Sequence, residues 1–261
     1  MKLSSFKKQY KALILDVDGT LIPNKRDGVP SKKVTDAVAK ASKLIYIGVA
    51  TSRPYFMLSH IFEHLKLSGP SIISGGSQII DTQSEKSLWE KTIRIQDFSI
   101  ISRILKDMNI SFFIRDGNKD IDDLVRYAPK KPLAFGALRL SSETVDSIID
   151  KTSRIPTIVA HKVPDWQKGK YSLIITHVYA TKQHGILEVA KILGINTHEI
   201  IGVGDGYNDM PLLMACGLKV AMGNAVDELK AIADYIAPSV EEDGVANVIE
   251  KFVLNNSILS S

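Results

Sequence analysis

The feature that most constrains the fold is a repeated alternation of short apolar runs with segments of helical period. Runs such as KALIL at 11–15 and EIIGVG at 199–204 are each followed by a segment with apolar residues at helical spacing. Apolar strands that alternate with amphipathic helices are typical of a parallel sheet covered by helices. Because the alternation fills the first and last thirds of the chain, we predict one doubly wound α/β sheet built from both.

The middle third of the chain differs, and it predicts a second module. It is rich in strand-like runs, and two helical segments lie among them near 100–108 and 143–151. Such a mixture is typical of an α+β domain. We therefore predict an α+β domain at 82–180, inserted between two core segments at 1–81 and 181–261.

Composition excludes several classes of function. The formal charge of +4 is spread along 261 residues without a basic tract interleaved with aromatics, so we expect no nucleic-acid partner. No apolar run approaches the ~18 residues needed to cross a bilayer, so we expect no membrane partner. Cys216 is the single cysteine, which rules out an internal disulfide and favours a reducing compartment. We expect a cytoplasmic monomer or small homo-oligomer.

Polar and charged residues stand where the predicted strands end, with one lysine ahead of the helix that follows the middle module. Ligands of open α/β sheets bind outside the carboxyl ends of the strands, so these residues are the candidates for a site. The candidates are Asp16, Asp18, Thr20, Thr51, Ser52, Arg53, Lys182, Asp205, Asn208 and Asp209.

This combination fits phosphoryl transfer to a carboxylate. A phosphate monoester repels a nucleophilic carboxylate, so catalysis needs a divalent cation and a fixed ammonium group. Asp16, Asp205 and a backbone carbonyl supply the oxygen ligands that Mg²⁺ prefers, and Lys182 neutralises the phosphoryl group while Thr51 donates to it. Asp16 then attacks phosphorus. Asp18, kept protonated by its neighbours, gives a proton to the leaving alcohol and later takes one from water.

Four ordered motifs carry a resemblance to a known family. They are DVDGTL at 16–21, ATSR at 50–53, Lys182 with Gly185, and GDGYNDM at 204–210. Their order and spacing resemble those of the haloacid dehalogenase-like phosphatases, in particular the Cof-type group with a large α/β cap between the second and third motifs. The resemblance implies a Rossmann-like core sheet and a cap domain whose residues select the leaving group.

The resemblance also implies a role for each candidate residue. Asp16 is the nucleophile and Asp18 the acid/base, while Asp16, the Asp18 carbonyl and Asp205 bind Mg²⁺. The residues implied to bind the phosphate group are Thr51, Ser52, Lys182 and Asn208, and those implied to support the site are Thr20, Arg53 and Asp209. The implied substrate is a small phosphorylated metabolite, either a sugar phosphate or a phosphoglycolate-like acid.

The chain departs from the family pattern at two places. Ser52 follows Thr51 where the family usually has Gly, although its backbone N–H is retained. Gly75 and Gly76 stand where relatives commonly have Asn-Gly. A side-chain contact to the substrate is lost there, so the substrate of a relative is weak guidance.

Three alternatives remain open. A phosphomutase resembling phosphomannomutase would reuse the aspartyl-phosphate, but we find no arginine cluster in the middle module to bind a second phosphate, which favours hydrolysis. HIFEH at 60–64 matches an inverted zinc-peptidase pattern with His60, Glu63 and His64, but such short patterns often arise by chance, and we expect an amphipathic helix there. A binding protein without turnover is the third. We expect Trp89 and Trp166 to pack in the core or line a pocket.

Overall fold

The computed structural model describes residues 10–122 and 129–255. Within them the chain forms thirteen strands and eight α-helices. The strands are β1 (Ala12–Leu15), β2 (Tyr46–Val49), β3 (Pro70–Ile73), β4 (Gln78–Asp81), β5 (Ser87–Glu90), β6 (Phe113–Asp116), β7 (Lys119–Ile121), β8 (Pro132–Leu140), β9 (Ile158–Pro164), β10 (Tyr171–His177), β11 (Ile200–Gly204), β12 (Leu218–Ala221) and β13 (Tyr235–Ile236). The helices are α1 (Lys32–Ala41), α2 (Ser59–Leu65), α3 (Ile95–Asp107), α4 (Ser142–Thr152), α5 (Lys182–Leu193), α6 (Met210–Ala215), α7 (Asp227–Ile232) and α8 (Gly244–Ile249).

A five-stranded parallel sheet forms the centre of the molecule and confirms the predicted α/β class. Its strand order is β13-β12-β11-β1-β2, so β1 lies between two strands that come from opposite ends of the chain. Leu13 of β1 pairs with Ile47 of β2 on one side and with Ile201 of β11 on the other. All four residues of β1 are buried. The strand order reverses beside β1, which is where open α/β sheets form their ligand crevice.

Helices bury apolar faces against this sheet. α1 begins after Ser31, whose hydroxyl accepts a hydrogen bond from the Val34 N–H at 3.2 Å and caps the helix. It packs against α2, α8 and β2, while α5 and α6 pack together and contact β3 and β11 respectively. The sequence PYFMLSHIFEHLKL, which begins at Pro54, predicts one helix, but the structure divides it into a 3₁₀ turn, Tyr55–Met57, and α2. None of the helices in the described residues has the length and apolarity required to cross a bilayer.

A small antiparallel sheet, β3-β4-β5, follows the second parallel strand. It lies beside the central sheet, because Ala50 and Ile72 form a parallel bridge. Trp89 on β5 packs partly buried against the main hydrophobic core. The predicted boundary between residues 81 and 82 thus falls between the paired strands β4 and β5, and its position stays a prediction.

The second large sheet is antiparallel and has the order β7-β6-β8-β10-β9. Side chains alternate between the two faces of a strand. One face packs on α3 and α4 in a separate hydrophobic cluster that includes Ile114 and Leu173. The opposite face carries Phe113, Arg115 and Ile174, which line a cavity shared with the central sheet. We call this sheet with α3 and α4 the cap.

Several elements of the cap differ from the sequence prediction. The sequence DGNKD at 116–120 indicates a turn, but β7 takes its last two residues, because Gly117, at φ +58°, makes a tight hairpin between β6 and β7. The run GALRL at 136–140 predicts a strand, and β8 begins four residues earlier, at Pro132, where a strand tolerates the missing N–H. α3 begins at Ile95, with Asp97 in its first turn, rather than near residue 100.

Candidate active site

A buried lysine and two aspartates meet at the carboxyl edge of the central sheet. The backbone N–H of Asp16 donates to the Val203 carbonyl at 2.9 Å, which fixes Asp16 at the end of β1. Lys182 Nζ lies 2.7 Å from Asp16 Oδ1 and also donates to Asp209 Oδ1. Burial alone would lower the pKa of the Lys182 ammonium, but the carboxylates of Asp16 and Asp209 outweigh it and raise that pKa. Lys182 is therefore a permanent cation beside Asp16.

Asp205 completes an acidic cluster with Asp16 and Asp209. One carboxylate oxygen from each of the three residues lies within 4.8 Å of the other two. Thr20 Oγ1 donates to Asp205 Oδ1 at 2.9 Å and orients that carboxylate. Burial, and then repulsion from neighbouring carboxylates, raises the pKa of Asp16 to about 7 and that of Asp205 to about 8. Three acids crowded in this way form a donor set that fits a hard divalent cation.

Asp209 already uses both of its oxygens within the protein. Its Oδ1 accepts from Lys182, and its Oδ2 accepts the backbone N–H groups of Asp205 and Gly206, each at 2.9 Å. Asp16 and Asp205 therefore have more free oxygen lone pairs for a metal ion than Asp209 has.

Asp18 is held by a guanidinium group. Arg53 Nε donates to Asp18 Oδ2 at 2.8 Å and Arg53 Nη2 to Oδ1 at 2.6 Å. The same side chain donates to the carbonyls of Lys25 and Arg26 at 2.9 and 2.7 Å. Two parallel N–H bonds fit an ionised carboxylate. The two bonds fix the orientation of the Asp18 carboxyl group, and its expected protonation stays a prediction.

Trp166 of the cap closes over this ion pair. It lies in the turn between β9 and β10, and its Nε1 is 3.5 Å from Asp18 Oδ1. The Arg53 guanidinium stands 5.4 Å from the centroid of its ring. The indole remains 39% exposed, so it forms part of the cavity wall rather than the core.

The second motif contributes a hydroxyl group next to Asp16. Thr51 is buried, and its Oγ1 accepts the backbone N–H of Arg53 at 3.2 Å. Its side chain does not cap the turn that begins after Pro54, which has no side-chain cap. Thr51, Ser52 and Asn208 all line the cavity beside the acidic cluster. The structure thus places every predicted phosphate-binding residue except Lys182 on the cavity wall, and Lys182 lies directly behind Asp16.

Two glycines allow the backbone to approach closely at the site. Gly19 has φ +79°, and a Cβ there would lie 2.2 Å from a carboxylate oxygen of Asp205. Gly76 has φ +101°, and a Cβ there would lie 2.3 Å from the carbonyl carbon of Thr181, next to Lys182. Gly76, which keeps the Gly of the family's Asn-Gly, therefore lies directly against the start of α5.

Sequence reasoning missed two residues around the site, Asn224 and Arg115, and it did not specify where Trp166 would lie. Asn224 Nδ2 donates to the Gly19 carbonyl at 2.8 Å and steadies the loop after β1. Its position shortly after β12 was a usable signal, because that strand ends at the same edge. The placement of Arg115 on the cavity wall and of Trp166 over Asp18 depends on how the cap docks, for which the sequence holds no local signal.

The histidines of HIFEH do not form a metal site. His60 Nε2 lies 3.2 Å from the Gly28 carbonyl, and His64 Nε2 lies 2.9 Å from Thr35 Oγ1. Among the described residues, the acidic cluster is the only group arranged to hold an ion. The zinc-peptidase alternative is therefore not favoured.

A cap over the carboxyl edge of a Rossmann-like sheet, with paired acids after β1 and a lysine facing them, defines the class of haloacid dehalogenase-like folds. The family model for haloacid dehalogenase-like hydrolases matches residues 13–131 and 129–249. The chain therefore belongs to this family, as the motifs predict.

Individual proteins agree with this assignment. The 5-amino-6-(5-phospho-D-ribitylamino)uracil phosphatase YcsE of Bacillus subtilis is 26% identical, over 94% of this chain and 96% of its own length. The phosphatase BT1666 of Bacteroides thetaiotaomicron has a similar fold, with a TM-score of 0.81 at 20% identity over 96% of this chain and 98% of its own. The subclass IIB sugar phosphatase BT4131 matches with a TM-score of 0.75 at 22% identity over 93% and 98%. The predicted enzyme class, a phosphoric monoester hydrolase, is confirmed.

Proposed function

We propose that this enzyme hydrolyses small phosphorylated metabolites with Mg²⁺, through an aspartyl-phosphate on Asp16. The observation that carries the proposal is that Asp16 and Asp205 line one cavity of about 790 Å³ and that Lys182 donates to Asp16 from behind. A cavity of this size suits a metabolite, because ligand pockets commonly measure about 300–1,000 Å³.

Asp16 is the nucleophile in this proposal. When bound, Mg²⁺ neutralises charge between the carboxylate and the phosphate group, so that the two anions can approach. Asp16 and Asp205 would hold the ion, together with the Asp18 carbonyl. Lys182 keeps Asp16 oriented through its 2.7 Å hydrogen bond and offsets the negative charge of the phosphate group. Thr51, Ser52 and Asn208 bind the phosphate oxygens at the cavity wall.

Asp18 acts as the acid and base in turn. Arg53 keeps its carboxylate close to Asp16 in the resting enzyme. In its protonated form, Asp18 gives a proton to the oxygen of the leaving alcohol as Asp16 bonds to phosphorus. It later removes a proton from the water that attacks the aspartyl-phosphate, which regenerates Asp16 and releases phosphate.

Hydrolysis is favoured over the phosphomutase alternative. The sequence predicts no arginine cluster in the cap, but Arg115 and Arg139 both line the cavity. Arg115 is already occupied, because its guanidinium forms a bidentate pair with Asp120. Among the described cap residues that line the cavity, this leaves Arg139, and one arginine is not a cluster. The proposed substrates are sugar phosphates or related phosphate esters, in line with the names of YcsE and BT4131.

The test is turnover of p-nitrophenyl phosphate by purified protein with Mg²⁺, with EDTA, and in an Asp16→Asn variant. We expect turnover only with Mg²⁺ and an intact Asp16. Asp36→Asn is the matched control, since Asp36 is an exposed aspartate on α1 that pairs with Lys32. Equal turnover in EDTA, or in Asp16→Asn, would refute the proposed mechanism.

We also propose a cytoplasmic enzyme that is a monomer or small homo-oligomer. Cys216, the single cysteine of the chain, is a buried free thiol, which suits a reducing compartment. Fractionation of cells and light scattering of purified protein test the two statements.

A further inference from the structure

The start of α5 carries the cation that lies beside Asp16. Lys182 is the first residue of this helix and is 3% exposed. Its Nζ lies 2.7 Å from Asp16 Oδ1. A catalytic group keeps its geometry only if the neighbouring residues fix it by packing and hydrogen bonds. The contacts that hold the first turn of α5 therefore also hold the ammonium group against Asp16.

Thr181 caps this first turn. Its Oγ1 accepts the backbone N–H of His184 at 3.3 Å, and its carbonyl accepts the backbone N–H of Gly185 at 2.9 Å. A threonine at this position satisfies one of the N–H groups that a helix leaves free at its start. On the other side of Thr181 stands Gly76, where a Cβ would lie 2.3 Å from the Thr181 carbonyl carbon. Thr181 is thus enclosed between Gly76 and α5.

The imidazole ring of His184 holds the Thr181 hydroxyl group. Its Nδ1 lies 2.9 Å from Thr181 Oγ1. Oγ1 already accepts the His184 N–H, and the described part of the chain shows no third partner for it. We therefore assign the hydroxyl hydrogen to a bond with Nδ1, which acts as the acceptor in a neutral ring that carries its proton on Nε2.

The surroundings keep this ring in place and uncharged near neutral pH. The Tyr179 ring packs on it, with the two centroids 5.1 Å apart. Burial lowers the pKa of His184 below its ordinary value near 6.5, although Glu188 acts in the opposite direction. The other titratable groups of this cluster are His177, whose ring is 5.5 Å from that of Tyr179, and Lys91, whose Nζ is 5.8 Å from the Tyr179 centroid.

A proton on the ring would change these contacts. Nδ1 would become a donor, so the Thr181 hydroxyl hydrogen would lose its acceptor. The ring would also place a positive charge in the first turn of α5, where the helix dipole disfavours cations, two residues from Lys182. Both effects weaken the hold on the start of α5.

We propose that His184 is a positioning residue, which holds Lys182 against Asp16 through the Thr181 cap and releases it when the ring takes up a proton. This role rests on the proposed phosphatase function and adds an acid-sensitive control of its cation. His184 takes no part in the bond changes at phosphorus, and it acts on Asp16 only through Thr181 and Lys182.

The first experiment measures kcat for p-nitrophenyl phosphate with Mg²⁺ at pH 7.5. Thr181→Val keeps the branched shape without the hydroxyl group, and His184→Phe keeps a ring against Tyr179 without the acceptor. We expect kcat to fall about three- to tenfold in each, the range that one hydrogen bond commonly accounts for. His184→Asn presents a carbonyl oxygen close to the position of Nδ1, and its kcat should stay within about twofold of the wild type.

Two results of this experiment would overturn the proposal. One is a wild-type kcat in Thr181→Val or His184→Phe. The other is an equal loss in His184→Asn and His184→Phe, because the acceptor would then be irrelevant.

A matched cap on another helix separates positioning from stability. Ser141 caps α4 in the same way, since its Oγ accepts the Thr144 N–H at 3.2 Å and lies 3.0 Å from Thr144 Oγ1. α4 packs in the hydrophobic cluster of the cap, away from Asp16. We expect Ser141→Ala to lower Tm and to leave kcat unchanged. If Thr181→Val behaves likewise, Thr181 is only a structural cap and the proposal falls.

The second experiment tests the proton. The ratio of kcat in the wild type to kcat in His184→Asn is measured from pH 7.5 to pH 5, since titration of Asp16 and Asp18 acts on both proteins and cancels. We expect a ratio near one at pH 7.5 that falls at least about threefold as pH drops below 6.5. His198→Asn is the matched control, because His198 is an exposed histidine of the core, and its ratio should stay constant. A constant ratio for His184→Asn overturns the release of Lys182 by acid.

The Asp16→Asn variant distinguishes the two levels of the proposal. If turnover depends on Asp16 while every His184 variant matches the wild type at all pH values, the proposed function stands and only the role of His184 falls. If the wild type shows no turnover that depends on Asp16, both fall.

Discussion

The close approach of Gly76 to the start of α5 leads to a sharp prediction for Gly76→Ala. The backbone at Gly76 has a positive φ of +101°. A Cβ at this position would lie 2.3 Å from the Thr181 carbonyl carbon and 2.8 Å from the backbone nitrogen of Lys182. Carbon atoms in contact stand ~3.5–4.0 Å apart, so the backbone at residues 181–182 has to move by roughly 1 Å. That backbone carries Lys182, whose ammonium contacts Asp16.

The neighbouring glycine is a matched control. Gly75 also has a positive φ, +72°, but a Cβ there would meet only the Ile174 and Thr176 side chains at 3.7 and 3.8 Å. Gly75→Ala therefore bears only the backbone strain, about 1–2 kcal/mol of unfolding free energy. Gly76→Ala bears that strain and a further ~1–3 kcal/mol for the overlap.

The two variants should differ more in catalysis than in stability. A misplacement of about 1 Å in a catalytic group can lower the rate about 10²-fold. We expect kcat for p-nitrophenyl phosphate to fall by about this factor in Gly76→Ala and to change by less than about threefold in Gly75→Ala. Thermal melts should show a lower Tm for Gly76→Ala than for Gly75→Ala. If both variants lose kcat equally, the close approach of Gly76 does not position Lys182 and this reasoning fails.

Three further outcomes follow from the site. Asp16→Asn should abolish turnover, while a thermal melt of the variant should still show the cooperative unfolding of a folded protein. The pKa values of Asp16 and Asp205 in the folded protein, about 7 and about 8, lie above the ordinary value near 3.8. Without metal, the folded protein therefore binds more protons than the unfolded chain between these pH values. Its free energy of unfolding should fall as pH rises from about 4 through 8. Mg²⁺ competes with those protons, so it should raise Tm more at pH 8 than at pH 6, and equal shifts would contradict the assignment. Asp18→Asn should lower kcat for an alkyl phosphate by about 10²-fold or more and for p-nitrophenyl phosphate by much less, since p-nitrophenolate leaves without a proton. Equal losses on the two esters would remove Asp18 as the acid.

The sequence predicts the central site well because parallel strands share one carboxyl edge. Asp16 after β1, Thr51 after β2 and Asp205 after β11 are brought together by strand order alone. Lys182 is predicted at the same site because it begins α5, the first helix of the core after the cap. To predict each of these positions, it is enough to recognise the strand from its apolar run and to know that ligands bind at the carboxyl ends of parallel strands.

The ion pair between Arg53 and Asp18 lies beyond such reasoning. Both residues were candidates, but adjacency in the motif order does not say which acid a guanidinium reaches. The path of Arg53 is set by the carbonyls of Lys25 and Arg26, which belong to an irregular loop without a periodic pattern. For this reason, the sequence indicates the position of Asp18 but not the side chain that holds it.

The cap was predicted in kind but not in arrangement. Its order β7-β6-β8-β10-β9 rests on antiparallel pairings between residues far apart in sequence, such as Ile114 with Phe135 and Ile174 with His161. Strand pairing of this sort depends on burial of the sheet as a whole. From the sequence alone, Arg115 is therefore an ordinary strand residue. Only the packing of the cap against the central sheet places it on the wall of the cavity that contains Asp16.

The indole that covers Asp18 gives the enzyme a built-in optical probe. Trp166 is one of two tryptophans in the chain, and the other, Trp89, packs against the main core. Swinging the cap away from the sheet would expose Trp166 to water and separate it from the guanidinium of Arg53, while Trp89 would keep its surroundings. Fluorescence of a Trp89→Phe variant would then report cap opening and closing directly, in real time and without an attached dye.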